Sequence, residues 1–367
     1  MRIVDVVIHK LVVPMKPDTV HSSGIKDTLC APDPVTGRVM NFHEFPKWII
    51  ELVADNGIAG LGEPRRGDLY EPLKKYADMI IGKTLTELPV GNLPLPHGDA
   101  YESYIIYEAY EMAWLDLLGK HLGVPVHHLL GGKLIDGIPC DYWMGRGTAE
   151  ETAKRVQRGV DLGFTGFKMK CRPGDPSTPA ERVEAARQIA PTITLVLDFN
   201  DSLPTPADAV AVGKSLEKFD HIILESPVRQ DRFDWYVMLR SKIAVPIALH
   251  LTSFGQLWPA LRMDAADYYN LLGPLREFTE WAKLTRAAGC PTWRGTGGDL
   301  GVRDMSSVHC AAAAGCELHS GLIGNVLRED DLIVERIEYR EGNAIVPDRP
   351  GLGVELDRDA VEKYRVN

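Results

Sequence analysis

Residues 166–199 read GFKMKCRPGDPSTPAERVEAARQIAPTITLVLDF, and this stretch decides the fold. Two short apolar strand patterns, GFKMK (166–170) and TLVLDF (194–199), flank AERVEAARQIA (180–190), whose apolar residues have helical spacing. A helix between two such strands is typical of a βαβ unit with parallel strands. The chain from about residue 138 onward therefore predicts an α/β domain built from these units.

The strand–helix pattern recurs along the chain. Further strand candidates lie at 138–144, 221–226, 246–251, 267–272, 291–296 and 316–321. A polar residue recurs near the strand ends at intervals of 20 to 28 positions: Lys170, Asp198, Glu225, His250, Asn270, Arg294 and His319. One βα unit of a barrel has about that length, and such barrels carry their chemistry at the carboxyl ends of the strands. We therefore expect a TIM-type barrel; a doubly wound open sheet is disfavoured because no GxGxxG follows the first strand.

The N-terminal region predicts a smaller α+β domain. Strand-like patterns at 1–15 and 47–62 precede a mostly helical stretch, 69–130. Residues 16–46 are polar and lack periodicity, and a loop of that length is usually a functional lid or disordered. Strand-like character returns after residue 332, and we expect this tail to fold back onto the N-terminal domain. The predicted division is an α+β capping domain formed by 1–130 with 332–367, and a barrel domain of 131–331.

The composition excludes several classes of function. A formal net charge of −10 and the lack of a Lys/Arg-rich run argue against a nucleic-acid-binding surface. No stretch reaches the ~18 to 20 apolar residues that span a bilayer, and the first residues lack the features of a signal peptide. The six cysteines have no CxxC spacing and are interpreted as free thiols. We expect a cytoplasmic protein with neither a nucleic-acid nor a membrane partner.

Lys168 and Lys170 are candidate catalytic residues. They alternate with Met169 in GFKMK, so both side chains point to the same side of the strand. Two neighbouring ammonium groups disfavour each other's charge, which lowers at least one pKa toward that of a useful general base. The competing interpretation is a solvated strand end with paired lysines.

Asp198 and Glu225 are candidate metal ligands. Carboxylates at successive strand ends converge on the barrel axis and make an oxygen-rich site that suits Mg²⁺ or Mn²⁺. The alternative is a pair of carboxylates bridged to the neighbouring lysines as buried ion pairs. His250, on the next strand, is a candidate neutral ligand, a hydrogen-bonding group above the substrate or a satisfied histidine of the barrel rim.

A third group of polar and aromatic side chains lies at or beyond the last strand candidates. Its members are Asn270, Trp293, Arg294, Asp299, Asp304, Glu317 and His319. His319 is a candidate general acid because its unperturbed pKa lies near neutrality. Arg294 is a candidate bidentate clamp for a carboxylate. The alternatives are an ion pair of Arg294 with Asp299 or Asp304 and, for His319, a capped histidine of the barrel rim.

Several segments resemble the enolase superfamily. YEAYEMAWLDLLGKHLGVPVHHLLGGK (107–133) is similar to a helix and hinge of the mandelate racemase and muconate lactonising type. GFKMK resembles the family's KxK base motif, and LDFN (197–200) and ILESP (223–227) resemble its first two metal-ligand strands. EGNAIVPDRPGLGVELD (341–357) is similar to the C-terminal segment of the mandelate racemase group. The resemblance covers almost the whole chain in the right order.

This resemblance implies a (β/α)7β barrel under a capping domain, with Mg²⁺ holding the carboxylate of a small-molecule substrate. By family position, Lys170 is the base that removes the α-proton, Lys168 is its partner, and Asp198 and Glu225 are metal ligands. The loop 16–46 would select the substrate. The expected substrate contacts are His21, Lys26, Asn200, Trp293 and Arg294. Family members often form dimers or octamers, so a homo-oligomer is expected.

The chain departs from the family pattern at three positions. The third ligand is either His250 or missing, and a histidine there would admit Mn²⁺ or another divalent metal. Asn270 and Gly295 stand where an Asp–His dyad is found, and DYYNLLGPL (267–275) lacks the lysine of the muconate type. With lysines on one face only, the pattern favours dehydration of an acid sugar or related hydroxy acid to a 2-keto-3-deoxy acid, with His319 or His250 as proton donor. The alternatives are a racemase, epimerase or cycloisomerase, and a non-catalytic acid-binding barrel with a degraded metal site.

Overall fold

The computed structural model describes residues 1–16, 19, 46–84, 86–88, 93–94, 100–296, 298–318, 321 and 324–366. Within these residues the strands are β1 (Ile3–Leu11), β2 (Lys47–Ala54), β3 (Ala59–Gly62), β4 (Gly137–Pro139), β5 (Asp141–Met144), β6 (Gly166–Lys170), β7 (Thr194–Asp198), β8 (Ile222–Glu225), β9 (Ile247–Leu251), β10 (Tyr268–Leu271), β11 (Thr292–Arg294), β12 (Tyr339–Arg340) and β13 (Asn343–Ile345). The helices are α1 (Tyr70–Ile80), α2 (Ala100–Leu122), α3 (Val126–Leu129), α4 (Ala149–Asp161), α5 (Pro179–Ile189), α6 (Pro206–Leu216), α7 (Phe233–Lys242), α8 (Phe254–Arg262), α9 (Leu275–Ala287), α10 (Val302–Ala314), α11 (Gly324–Leu327) and α12 (Arg358–Tyr364).

Strands β5 to β11 form one curled parallel sheet in chain order, with one helix between each pair of strands. This is the arrangement that the recurring βα pattern predicts. Two of the strand candidates differ. The candidate 138–144 is split, because Cys140 donates its N–H to the Gly342 carbonyl and β4 pairs with β13 instead. Of the candidate at 316–321, the described residues 316–318 and 321 contain no strand.

Local sequence fixes where the first helices of the barrel begin. Thr148, Thr178 and Thr205 each cap a helix, and the acidic residue three positions later bonds back to the backbone of that threonine. Such a capping box satisfies two backbone N–H groups that a helix start would otherwise leave unpaired. A proline opens both α5 and α6, where its missing N–H is no loss. The helix starts are therefore encoded locally.

The N-terminal strands β1, β2 and β3 form an antiparallel sheet that α2 covers. Gly57, with a φ of +82°, closes the turn between β2 and β3. The glycines of β3 allow α2 to lie directly on the strand backbone: a Cβ on Gly60 would lie 2.1 Å from the Ala113 carbonyl oxygen. A larger residue at this position would separate the helix from the sheet.

The C-terminal segment contacts both parts of the chain. The β12–β13 hairpin extends β4 near the start of the barrel. Farther on, Leu352 donates its N–H to Asp116 of α2, and α12 lies against β1. Arg358 of α12 bonds both carboxylate oxygens of Glu51 in β2 at 2.6 Å. No helix within the described ranges is long and apolar enough to cross a membrane.

Replacing Gly60 with alanine tests the contact between α2 and β3. Its Cβ would overlap backbone atoms of Ala113 and Leu117 that cannot rotate away, so we expect Gly60→Ala to lower the free energy of unfolding by about 1–3 kcal/mol. The matched control is Gly255→Ala in α8, where the nearest atom to the new Cβ is the Ser253 hydroxyl at 3.8 Å. Denaturant unfolding compares the two variants. Equal midpoints would contradict this account of the contact.

Glu51 makes the stability of the chain depend on pH. Burial raises its pKa, but hydrogen bonds from His9 and Arg358 outweigh burial and lower the pKa from 4.5 to about 2. Because the pKa is lower in the folded state, the stabilisation is present above pH 4.5 and is lost as the pH falls toward 2. We expect Glu51→Gln to be less stable than wild type at pH 7, with a difference that shrinks across this window. Unfolding at pH 7, 4 and 3 measures it; Glu150→Gln, at an exposed position of α4, should show no such trend.

Candidate active site

A cavity opens at the carboxyl ends of the barrel strands. The strand-borne side chains that line it include Lys168, Lys170, Asp198, His250, Asn270 and Trp293, and Asn200 lies two residues after the end of β7. The other wall includes Met15 and Arg66 from the N-terminal region, and Asp299, Asp304 and Arg328 from the segments after β11. Side chains that are far apart in the sequence thus meet in one space, as the spacing of the strand ends predicts.

Strand register sets which side chains lie in one row. Lys170 pairs with Asp198 across β6 and β7, and Asp198 pairs with Glu225 across β7 and β8. In the same way, His250 pairs with Asn270, and Asn270 with Trp293. Residues in register on parallel strands point to the same face of the sheet, so each row converges on the barrel interior.

A compact cluster of two lysines and two carboxylates occupies this end of the barrel. The Lys168 Nζ lies 2.6 and 2.8 Å from the two Glu225 oxygens and 3.0 Å from Asp198 Oδ2. The Lys170 Nζ lies 2.6 Å from Asp198 Oδ2 and 2.7 Å from the Asn200 side-chain oxygen. All four charged groups are buried, so the cluster balances its charge internally.

The ionisation of the cluster differs from the sequence expectation. Burial lowers the pKa of Lys168, but the attraction of Asp198 and Glu225 outweighs burial and raises this pKa above its usual value. The expected lowering of the pKa by lysine–lysine repulsion is therefore wrong for Lys168. Lys168 and Lys170 together overcome burial and hold the pKa of Asp198 below its usual value. Burial and the negative charge of Asp198 raise the pKa of Glu225.

Glu225, unlike Asp198, is not among the residues that line the cavity. It is fully buried, and it accepts from Lys168 and, at 2.8 Å, from the Asn270 amide. The amide oxygen of Asn270 has no hydrogen-bond partner among the described residues. A Cβ on Gly295 would lie 2.5 Å from this oxygen, so glycine at 295 makes room for the asparagine.

His250 lies beside the cluster but outside its hydrogen bonds. Its Nδ1 is 3.7 Å from Glu225 Oε1, and its Nε2 is buried without a hydrogen-bond partner in the described part of the chain. Burial and the Lys168 ammonium lower the pKa of His250 to about 3, so the imidazole is neutral at pH 7. The described residues include no group of three His, Cys, Asp or Glu side chains arranged to hold a metal ion. His250 is therefore not grouped with Asp198 and Glu225 as a metal site among the described residues, and its role as a ligand stays a prediction.

The two carboxylates by themselves fit a hard divalent cation. Asp198 and Glu225 both approach one cation, the Lys168 ammonium, within 3.0 Å, so their oxygens converge on a common position. Mg²⁺ is commonly held by one or two carboxylates, with water and substrate oxygens completing its shell. The donor set suits Mg²⁺ through these two residues, and His250 is not needed for it.

Backbone geometry holds Lys170 and Asn200 in place. The buried Arg182 of α5 donates to the Lys170 carbonyl at 2.6 Å and to the Gly145 carbonyl at 2.8 Å, which ties the end of β6 to the end of β5. Asn200 has a φ of +44°, a left-handed conformation that asparagine adopts more readily than most residues. This conformation places Asn200 beside the Lys170 ammonium at the cavity wall.

Arg294 does not reach the cavity, which corrects its predicted role as a substrate contact. It is 0% exposed, and its guanidinium bonds Glu108 of α2 at 2.8 Å and the Gly273 carbonyl at 2.9 Å. The predicted alternative, an ion pair of Arg294 with Asp299 or Asp304, is not among these contacts. Trp293 faces the opposite way and lines the cavity.

Three predicted site residues lie outside the described part of the chain: His21, Lys26 and His319. Their assigned roles in substrate binding and proton donation stay predictions. The sequence pattern missed Arg66 and Arg328, which line the cavity from outside the strands. Arg66 is the second of two consecutive arginines shortly after strand β3. This pair was the feature of the sequence that could have indicated its role.

The sequence matches the family described as enolase C-terminal domain-like over residues 151–360. The chain belongs to the enolase superfamily. Within this superfamily it is of the mandelate racemase and muconate lactonising enzyme type. A probable glucarate dehydratase of Streptomyces coelicolor is 26% identical to it over 86% of this chain and 83% of that protein. Arabinonate dehydratase of Saccharolobus solfataricus is 28% identical over 70% of each chain.

Solved structures of other proteins share the architecture of this enolase-superfamily member. The crystal structure of N-succinyl Arg/Lys racemase from Bacillus cereus matches 100% of this chain and 99% of that chain with a TM-score of 0.84, at 21% identity. At this identity the likeness shows the fold, and it confirms the predicted TIM-type barrel with an α+β capping domain. The relatives are enzymes of several kinds, including dehydratases, racemases and cycloisomerases. Members of the superfamily are typically Mg²⁺-dependent.

Substitution of Arg294 distinguishes a structural role from substrate binding. Arg294→Met would leave the buried Glu108 with one cation fewer, so we expect a loss of about 3–5 kcal/mol in the free energy of unfolding. Arg229→Met is the control: this exposed arginine bonds Asp231 on the surface, and its loss should change stability by about 0.5 kcal/mol or less. Thermal and denaturant unfolding give both values. If Arg294→Met were as stable as wild type, the result would favour the predicted role of Arg294 in substrate binding.

Proposed function

We propose that this chain removes the proton next to a carboxylate on a small hydroxy acid and then eliminates water to give a 2-keto-3-deoxy acid. The observation that carries this proposal is the cluster of Lys168, Lys170, Asp198 and Glu225 at the carboxyl ends of adjacent barrel strands. It combines a basic side chain at the cavity with two carboxylates that suit a divalent cation. The relatives named as glucarate and arabinonate dehydratases support an acid sugar as the substrate class.

Asp198 and Glu225 would hold Mg²⁺, which when bound neutralises the substrate carboxylate and makes the neighbouring C–H more acidic. Lys168 contributes a fixed positive charge, because both carboxylates keep its ammonium ionised. This charge offsets the negative charge that develops on the substrate carboxylate as the proton leaves.

Lys170 is the proposed base. Its Nζ lines the cavity and makes two contacts, with Asp198 and Asn200. To accept a proton the amine has to be neutral, and these two acceptors then hold its remaining N–H groups so that the lone pair can face the substrate. Asn200 is therefore a positioning residue for the base as well as part of the cavity wall.

One side of the cavity supplies both lysines, which favours elimination over racemisation. A racemase that uses two bases needs one on each face of the planar intermediate, whereas Lys168 and Lys170 both come from β6. Asn270, which cannot take up a proton, stands at the end of β10. Racemisation or epimerisation is the second candidate, because relatives include N-succinyl-L-Arg/Lys racemase.

Lys170→Met tests the base. In D₂O with Mg²⁺ and glucarate or arabinonate as probes, we expect wild type to exchange the α-proton and release keto acid, and the variant to lose both by about 10²-fold or more. Lys218→Met, at an exposed lysine outside the cavity, should keep wild-type rates. Chelation with EDTA should abolish turnover and added Mg²⁺ should restore it. Unchanged rates in Lys170→Met would refute the base, and exchange without keto acid would identify a racemase or epimerase.

A further inference from the structure

Asp304 is a buried acid whose carboxyl oxygens have no partner within the described part of the chain. It lies in the first turn of α10, lines the cavity and is 1% exposed. Neither of its carboxyl oxygens has a hydrogen-bond partner among the described residues. Buried polar side chains are nearly always hydrogen-bonded, and an unpaired one destabilises a fold by about 1–3 kcal/mol. Because an unpaired buried carboxyl destabilises the fold, Asp304 is a candidate for a role other than folding.

The basic groups near Asp304 are engaged elsewhere. The Lys47 Nζ bonds Glu63 at 2.8 Å, Asp299 at 2.7 Å and the Pro64 carbonyl at 3.1 Å, which uses its three hydrogens. Arg328 donates to the carbonyls of Val13 and Gly298. No described cation is therefore hydrogen-bonded to Asp304.

The surroundings of Asp304 favour its neutral form. Burial raises the pKa of Asp304 well above its usual value, and the carboxylates of Asp299 and Glu63 raise it further. Lys47 and Arg328 act in the opposite direction but do not reverse the shift. In its neutral form the residue is an O–H donor at the cavity wall.

Asp304 and Lys170 belong to different walls of the cavity. Lys170 ends β6, whereas Asp304 follows β11, and four strands lie between β6 and β11 in the sheet order. A substrate bound in the cavity would thus meet a base from one wall and an acid from another. Elimination of water needs this pair, because one group takes the α-proton and another protonates the leaving hydroxyl.

We propose that Asp304 is the proton donor to the leaving hydroxyl. This inference rests on the proposed dehydration. The Lys170 amine takes the α-proton as the C–H bond breaks; the Asp304 carboxyl then gives its proton to the β-hydroxyl as the C–O bond breaks, so water leaves and Asp304 becomes a carboxylate. The resulting enol becomes the 2-keto acid, and exchange with solvent returns a proton to Asp304 and removes one from Lys170. No oxidant or other reactant is needed.

Asp331 provides a matched control within the same chain. It is also 1% exposed, and its carboxyl oxygens likewise lack hydrogen bonds within the described residues. Burial raises the pKa of Asp331 only to about 6, since Arg336 lies 3.5 Å away. It is not among the residues that line the cavity. Asp304→Asn and Asp331→Asn therefore make the same chemical change to a buried acid, but only Asp304 lines the cavity in which substrate would bind.

Infrared spectroscopy of the full-length protein tests the state of Asp304 without any substrate. At pH 7 a protonated carboxyl group has a carbonyl stretch that ionised carboxylates lack. We expect this band in the difference spectrum of wild type minus Asp304→Asn, and no such band for Asp331→Asn. A difference spectrum for Asp304→Asn without the band would overturn the proposal.

Turnover tests its role. With Mg²⁺ and glucarate or arabinonate in D₂O, Asp304→Asn should lose keto-acid release by about 10²–10⁴-fold while it keeps exchange of the α-proton, because the proposed base for that step is Lys170 and not Asp304. Asp331→Asn should keep wild-type rates of both. Keto acid released by Asp304→Asn at the wild-type rate would overturn the role of Asp304 alone. No keto acid from wild type with either probe would overturn the proposed dehydration itself, and the infrared band would then still report whether Asp304 is protonated.

Discussion

The site depends on one electrostatic constraint: two carboxylates, Asp198 and Glu225, are buried side by side and need a cation between them. Lys168 supplies it, with contacts to both within 3.0 Å. Burying the two acids without such a partner would be strongly unfavourable. The same contact joins the ends of β6, β7 and β8, so the charge balance of the site and the order of the barrel strands support each other. Any metal or substrate that enters must share these carboxylates with the lysine.

Much of this arrangement could be predicted from the sequence because it depends on period and register. The apolar run GFKMK matches the bounds of β6, and the run TLVLDF extends one residue beyond β7. Helix-forming segments between such strands require parallel pairing. In-register pairing then places Lys170, Asp198 and Glu225 in one row without further information. The fold and the central cluster were therefore accessible from local patterns.

The remaining features depend on long-range packing. Trp293 and Arg294 are neighbours on β11, so only one of them can face the cavity, and alternation by itself does not say which. The answer lies in Glu108, which α2 brings to Arg294 from 186 positions away. The pKa shifts of Lys168 and Asp304 likewise depend on the charged groups that the fold brings around each side chain. The order of residues along the chain does not reveal these neighbours.

Gly295 and Asn270 show how such packing constrains change. Because a Cβ at 295 would collide with the Asn270 amide oxygen, no larger residue is accommodated there while the asparagine keeps its bond to Glu225. The two positions are thus epistatic: a new side chain at 295 is tolerated only after 270 has changed. An evolutionary route toward a second base on this side of the barrel would have to pass through position 270 first.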